Sequence, residues 1–465
     1  MIKRIITYIP SVFVPMVLNF ILVFIYADVL TPNEYGILNI YLNTISFVYA
    51  IVLSFLQSAS YRFFSSDEGK DKEVYMSTYI ISNIVISVLA GGILWLGNLL
   101  IFKFNWWIIA CAIFINALYQ FFLNLSRLEN KVKKFTVFRI ATVVISLGVL
   151  VTIKLLGQSV SYIVPILAVY GAYLIVVLWE IVKILKDINI TKFSFALLKE
   201  SARYGMPMMG YSIAGLLLAY CDQYIILYFL DETQVGYYSL GHRLADTVVT
   251  NVTSMLLLVI TPVLMRMFDE GKKKECEHLL TAELNLNFWI TVPLVSFLVI
   301  YADVLINLFF PAYQNSVQIV QWVVIAGFFH AFTTIACKSL ELQKETKLEF
   351  LFVLISAIIN FVYNIIFIPI YGTLAAAHSS IIAYLVNSLL LIIASKRFVK
   401  INMDYKYLLK IIVVTGMTIF IAIFFKQYWK IASIISFAIQ GVVLVIIYLG
   451  LSFIGKMQKG FVMKL

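Results

Sequence analysis

The sequence carries fourteen apolar stretches, at 9–28, 37–57, 76–97, 106–125, 140–156, 160–182, 204–229, 238–262, 283–302, 318–339, 349–368, 373–394, 411–425 and 431–454. Most come close to the roughly 20 residues that a helix needs to cross a bilayer, with 140–156 and 411–425 the shortest. Hydrocarbon leaves every backbone N–H and C=O to be paired within the chain, so runs of this length and spacing imply helices. Composition agrees: 62% of the residues are hydrophobic and 13% charged, against roughly 25% charged in a soluble domain. No stretch between the apolar runs is long enough to fold as a separate soluble domain. The expected fold is all-helical, a polytopic membrane protein of about fourteen spans.

Lys and Arg set the expected orientation. With the N-terminus in the cytoplasm, 30 of the 35 fall in inside segments; Lys103, Lys154, Lys426 and Lys430 fall outside, and Arg243 lies within a span. That bias follows the positive-inside rule and places both termini in the cytoplasm. It also accounts for the net charge of +11, since the basic surface faces anionic lipid and no nucleic-acid partner is required. Lys3 and Arg4 precede an apolar run too long for a signal peptide, so 9–28 reads as a retained first span. The four cysteines show no CxxC pair and no His at metal-ligand spacing, so neither a disulfide framework nor a metal site is expected. Nucleotide-loop and hydrolase motifs are absent, and neither a cofactor nor an enzymatic activity is implied.

The chain repeats itself. "FIYADVLTPNEYGILNIYLN" at 24–43 matches "YIILYFLDETQVGYYSLGHR" at 224–243, with Leu30 over Leu230 and Gly36 over Gly236 at an offset of 200. The hairpins also end alike, in "RFFSSDEGKDKE" from Arg62 and "RMFDEGKKKE" from Arg266. Both copies start on the same side, which describes a parallel repeat. The expected organisation is a six-helix lobe at 1–182, a cytoplasmic linker at 183–203, a second six-helix lobe at 204–394, and two extra spans with a tail at 395–465.

Three charges sit where hydrocarbon makes them expensive. Asp222 is eight residues before the end of its run, about 12 Å deep; Arg243 and Asp246 are seven and ten residues past Gly236, about 10 and 15 Å deep. Left alone, each costs about 2.5–3.5 kcal/mol on insertion scales, so pairing or an aqueous cavity is expected. Two readings stand: an Asp222–Arg243 ion pair that pins two helices, or charges that face a functional cavity. At the same offset the first half has Leu22, Asn43 and Ser46, so the charge is confined to the second half. His330 and His378 lie in spans, as hydrogen-bonded structural residues or as proton carriers. Asn43, Asn116, Gln120, Asn360 and Asn364 either join helices or bind hydroxyls.

The turn "LTPNEYG", the stretch "YCDQYIILYFLDETQVGYYSLGHRLAD" and the two added C-terminal spans resemble the polysaccharide-unit flippases of the multidrug/oligosaccharidyl-lipid/polysaccharide exporter superfamily. The family's Asp in the seventh span and its "vGxYs" opening the eighth map onto Asp222 and onto Val235, Gly236, Tyr238 and Ser239. "LINLFFPAYQNSVQIVQWVV" at 305–324 is similar to the loop before the tenth span, with Pro311 where a Gly is common. The resemblance covers essentially the whole chain. It implies a bacterial inner-membrane protein that moves undecaprenyl-diphosphate-linked oligosaccharide across the bilayer by alternating access, for O-antigen, capsule or exopolysaccharide. Under that reading Arg243, Arg62, Arg266 and Asn43 bind the cargo, while Asp222, Asp246 and His330 handle a coupling H⁺ or Na⁺. The alternatives are a cation-coupled multidrug exporter of the same superfamily and a polytopic glycan polymerase.

Overall fold

The computed structural model describes residues 2–64, 71–100, 105–129, 131–157, 160–184, 189–402, 404–429, 431 and 433–457. Lys70, Lys103, Lys186, Lys430, Lys459 and Lys464, which enter the charge balance above, lie outside them, as do the side chains of Lys3 and Arg4. The described residues form helices and connecting turns: α1 (Ile2–Val29), α2 (Pro32–Val52), α3 (Ser54–Phe63), α4 (Lys72–Leu100), α5 (Trp106–Leu128), α6 (Val132–Leu155), α7 (Ile163–Ile184), α8 (Phe195–Phe229) and α9 (Glu232–Ala245). They continue as α10 (Asn251–Asp269), α11 (Lys273–Ile300), α12 (Ala302–Phe309), α13 (Val317–Ala336), α14 (Lys338–Leu342), α15 (Thr346–Tyr371), α16 (Thr373–Ser395), α17 (Tyr405–Tyr428) and α18 (Ile434–Ile454). Thirteen helices among the described residues are long and apolar enough to span a bilayer. The remaining expected span, 9–28, lies in α1.

Helix ends follow the local chemistry. Asp231 caps α9 by accepting from the Gln234 amide at 2.9 Å, and Asp404 caps α17 by accepting from the Tyr407 amide at 3.0 Å. Between α15 and α16 the chain turns at Gly372, whose φ of +65° is a conformation that a side chain disfavours. The breaks after Val29 and after Phe229 restart as helix at Pro32 and Glu232, so the offset of 200 read from the sequence recurs in the backbone. The span expected at 140–156 proves longer, as α6. Hydropathy ends at the cations, but Lys134 lies over the Phe138 ring at 5.5 Å and Arg139 over the Phe135 ring at 5.7 Å, which lets apolar packing run beneath them. Lys134 is also ion-paired to Glu180, which is 1% exposed.

The chain divides into two compact units. The first comprises Met1–Leu30 and Glu34–Tyr220, the second Thr31–Asn33 and Cys221–Leu465. In the first, α4 packs on α5, and α6 on α1 and α7. Ser77 Oγ and Thr78 Oγ1 on α4 accept from the amides of Asn189 (2.8 Å) and Ser194 (3.0 Å), which fastens the described end of the linker. In the second unit α16 packs closely against α13 and α15. It does so through Ala375, Ala376, Ala377, Ser379 and Ala383, each at most 1% exposed; small residues let spanning helices approach closely. The two C-terminal helices dock on α11. Tyr448 Oη donates to Trp289 O at 2.7 Å, and Tyr301 Oη donates to Ala422 O at 3.0 Å.

Candidate functional site

Asp222 lies on α8 with 1% of its surface exposed, flanked by Cys221 and Gln223, which are also buried. The following helix returns antiparallel, so residues sixteen apart meet: Tyr238 Oη donates to Asp222 Oδ2, and Ser239 Oγ donates to Gln223 Oε1 at 3.0 Å. The tyrosine and serine of the "VGYYS" motif are thus the partners of the acid and its neighbour. From α16, Ser380 Oγ reaches Asp222 Oδ2 at 3.5 Å and Tyr238 Oη at 3.3 Å; Asp222 Oδ1 accepts from the Gln223 amide at 2.8 Å.

A second layer extends this polar core. Cys221 Sγ donates to Asn360 Oδ1 at 3.1 Å, and Asn364 Nδ2 donates to the same oxygen at 3.0 Å. Asn360 Nδ2 donates to Ser379 Oγ at 3.0 Å, and Ser379 Oγ donates to Asn364 Oδ1 at 2.6 Å. Asn360, Asn364 and Ser379 are fully buried. The result is a carboxylate, three carboxamides, four hydroxyls and a thiol from α8, α9, α15 and α16. An oxygen-rich set of that kind suits a hard cation or a proton.

Neutral donors therefore hold Asp222, where one of the two sequence readings paired it with Arg243. On this hairpin His242 Nδ1 lies 3.2 Å from Asp246 Oδ2, one helical turn away. His242 was missed because it carries less charge signal than Arg243 beside it. Its ring is 6.2 Å from that of Tyr238, which brings the pair alongside the Asp222 cluster. Asp246 opens a π-helical segment, Asp246–Thr250, between α9 and α10; such bulges are frequent at functional sites. α13 packs close here, since a Cβ on Gly327 would meet the Ala245 Cβ at 3.2 Å. His330, also on α13, stacks on Tyr384 with centroids 4.7 Å apart and lies within electrostatic reach of Asp246.

The other predicted residues lie elsewhere. Arg266, at the end of α10, donates through Nε to Glu270 Oε1 at 2.8 Å and is 69% exposed. Lys272 and then Arg266 hold the Glu270 carboxyl below its ordinary range. Arg62 is exposed on α3, 5.9 Å from the Tyr204 ring centroid. Asn43 is buried on α2, and His378 meets the Trp322 ring edge-on at 4.7 Å. Two features escaped the sequence reading. Glu283 on α11 is 1% exposed, and neither of its carboxyl oxygens has a hydrogen-bond partner among the described residues. Cys337, Glu341 and Glu349 bring possible ligand atoms within 4.8 Å of one another, though Lys338 already donates to both Glu341 oxygens, at 2.7 and 2.6 Å.

The profile of the family described as "Polysaccharide biosynthesis protein" matches residues 25–317. The probable low-salt glycan biosynthesis flippase Agl15 of Haloferax volcanii is 22% identical over 227 residues, covering 47% of this chain and 48% of that protein. The chain spans about half the length of the curated relatives it matches. Among solved structures, the lipid II flippase MurJ in an inward closed conformation superposes with a TM-score of 0.76 at 16% identity, covering 98% of each chain. An inward-facing multidrug-resistance transporter of the MATE family gives 0.68 at 13%, covering 84% of this chain and 98% of that one. The fold is that of these transporters.

Proposed function

This chain belongs to the polysaccharide biosynthesis protein family, and we propose that it is a flippase for polyprenyl-diphosphate-linked oligosaccharide, undecaprenyl-linked in a bacterial inner membrane. A sugar head cannot cross about 30 Å of hydrocarbon unaided, because each unsatisfied hydroxyl costs several kcal/mol there; the polyprenyl tail meets no such barrier. The carrier need only shelter the head, alternately open to each side, through two six-span lobes.

The observation that carries the reading is the Asp222 cluster, a buried carboxylate among hydroxyls and carboxamides within spanning helices. In this scheme Asp222, together with Asp246 and His330, takes up a proton or Na⁺ whose gradient drives the cycle. Arg243 attracts the diphosphate, Arg62 and Arg266 meet it at the cytoplasmic mouth, and Asn43 contacts sugar.

A strain lacking the gene is expected to lose its surface polysaccharide and to accumulate the lipid-linked unit in the inner leaflet. Normal surface glycan with new sensitivity to cationic dyes would identify a drug exporter, a reading that the fold likeness to MATE transporters supports.

A further inference from the structure

The first unit contains a cavity of about 620 Å³, within the roughly 300–1,000 Å³ of small-molecule sites, lined from α2, α3, α5, α7 and α8. Asn116 is ten residues into α5, about 15 Å from that end, so the cavity lies at mid-membrane depth. All its described lining residues are uncharged, yet most carry a hydroxyl or a carboxamide. Tyr49 donates to Gln57 Oε1, which leaves the amide nitrogen as the donor this pair offers. Gln120 Nε2 donates to Asn116 Oδ1 over a long 3.5 Å. Tyr170 and Tyr173 meet edge to face with centroids 5.6 Å apart, and Tyr119 fixes Tyr173 from behind by stacking at 4.0 Å.

We propose that this cavity binds uncharged sugar residues of the transported head. A diphosphate needs cations and a cationic drug needs an acid, and the lining offers neither. A hydrocarbon tail gains nothing from the carboxamides. A pyranose fits both parts of the lining: its hydroxyls match groups that donate and accept at once, and its C–H face packs on tyrosine rings. The inference rests on the flippase reading above and adds to it that head and diphosphate are held by different parts of the protein.

The test uses the full-length protein in nanodiscs and two probes, a short-chain polyprenyl diphosphate carrying one N-acetylglucosamine and the same lipid diphosphate without sugar. Wild type is expected to bind the sugar-bearing lipid about tenfold more tightly, the worth of one or two buried hydrogen bonds. The double variant Asn116→Leu with Gln120→Leu should lose that preference and keep its affinity for the sugar-free lipid, which serves as the folding control. Gly215→Phe provides an independent arm: a Cβ there meets nothing within 4 Å, so the ring grows into the cavity and should also abolish the preference. Equal wild-type affinities, or a preference retained in both variants, would overturn the sugar assignment and leave the flippase reading standing. Binding of neither lipid would overturn both.

Discussion

Asp222→Asn is expected to yield a folded, membrane-inserted protein whose gradient-driven transport is about 10- to 100-fold slower, the range spanned by ordinary coupling free energies. Asn keeps an oxygen to accept from Tyr238 and Ser380 but carries no charge for a cation and no acid proton. Asp222→Ala should lose transport equally and also destabilise the protein by about 1–3 kcal/mol, because it leaves buried hydroxyls without an acceptor. Thermal unfolding in detergent beside transport in vesicles separates the two effects. Full transport by the Asn variant would remove Asp222 from the coupling step.

Gly205→Ala is expected to cost on the order of 3 kcal/mol and to reduce the yield of monodisperse protein sharply. A Cβ at this position of α8 would lie 2.2 Å from the Phe55 carbonyl oxygen on α3, and backbone cannot swing aside as a side chain can. Gly148→Ala on α6 is the matched control: its Cβ meets nothing within 4 Å, and alanine is the better helix former by about 1 kcal/mol. Fluorescence-detected size exclusion after graded heating should show the first variant collapsing early and the second at or above wild type. Equal melting of both would mean that α3 and α8 do not pack this closely.

The spans were legible because twenty apolar residues in a row have few other uses, and the hairpin repeat because two turns at one offset share their break and their glycine. Asp222, Arg243 and Asp246 stood out as charges in apolar windows. Their partners did not. Ser379 and Ser380 sit in a run of small residues that hydropathy reads as filler, and serines in helices commonly bond their own backbone, as Ser380 also does to Ala376 O at 3.0 Å. Asp222 meets Ser380 across 158 positions, a distance no local pattern encodes. Tyr238 and Ser239 were noticed as a motif, but their role appears only once α9 folds back on α8. The short helices α3, α12 and α14 fall below span length, so the expected run at 37–57 passes over the break at Leu53, where φ is −125°. Arg266 illustrates the converse, a prominent cation that the fold pairs locally with Glu270.

The central claim, ion-driven movement of a lipid-linked sugar, is tested most directly in proteoliposomes. Full-length protein would be reconstituted with a fluorescent polyprenyl diphosphate carrying a short oligosaccharide. Accessibility of the head to an impermeant quencher would then be followed after a pH or Na⁺ gradient is imposed. Head transfer between leaflets that exceeds protein-free vesicles, accelerates when one of the gradients is applied and slows in Asp222→Asn is the predicted result. Transfer no faster than in protein-free vesicles, or transfer indifferent to both gradients and to Asp222→Asn, would contradict it.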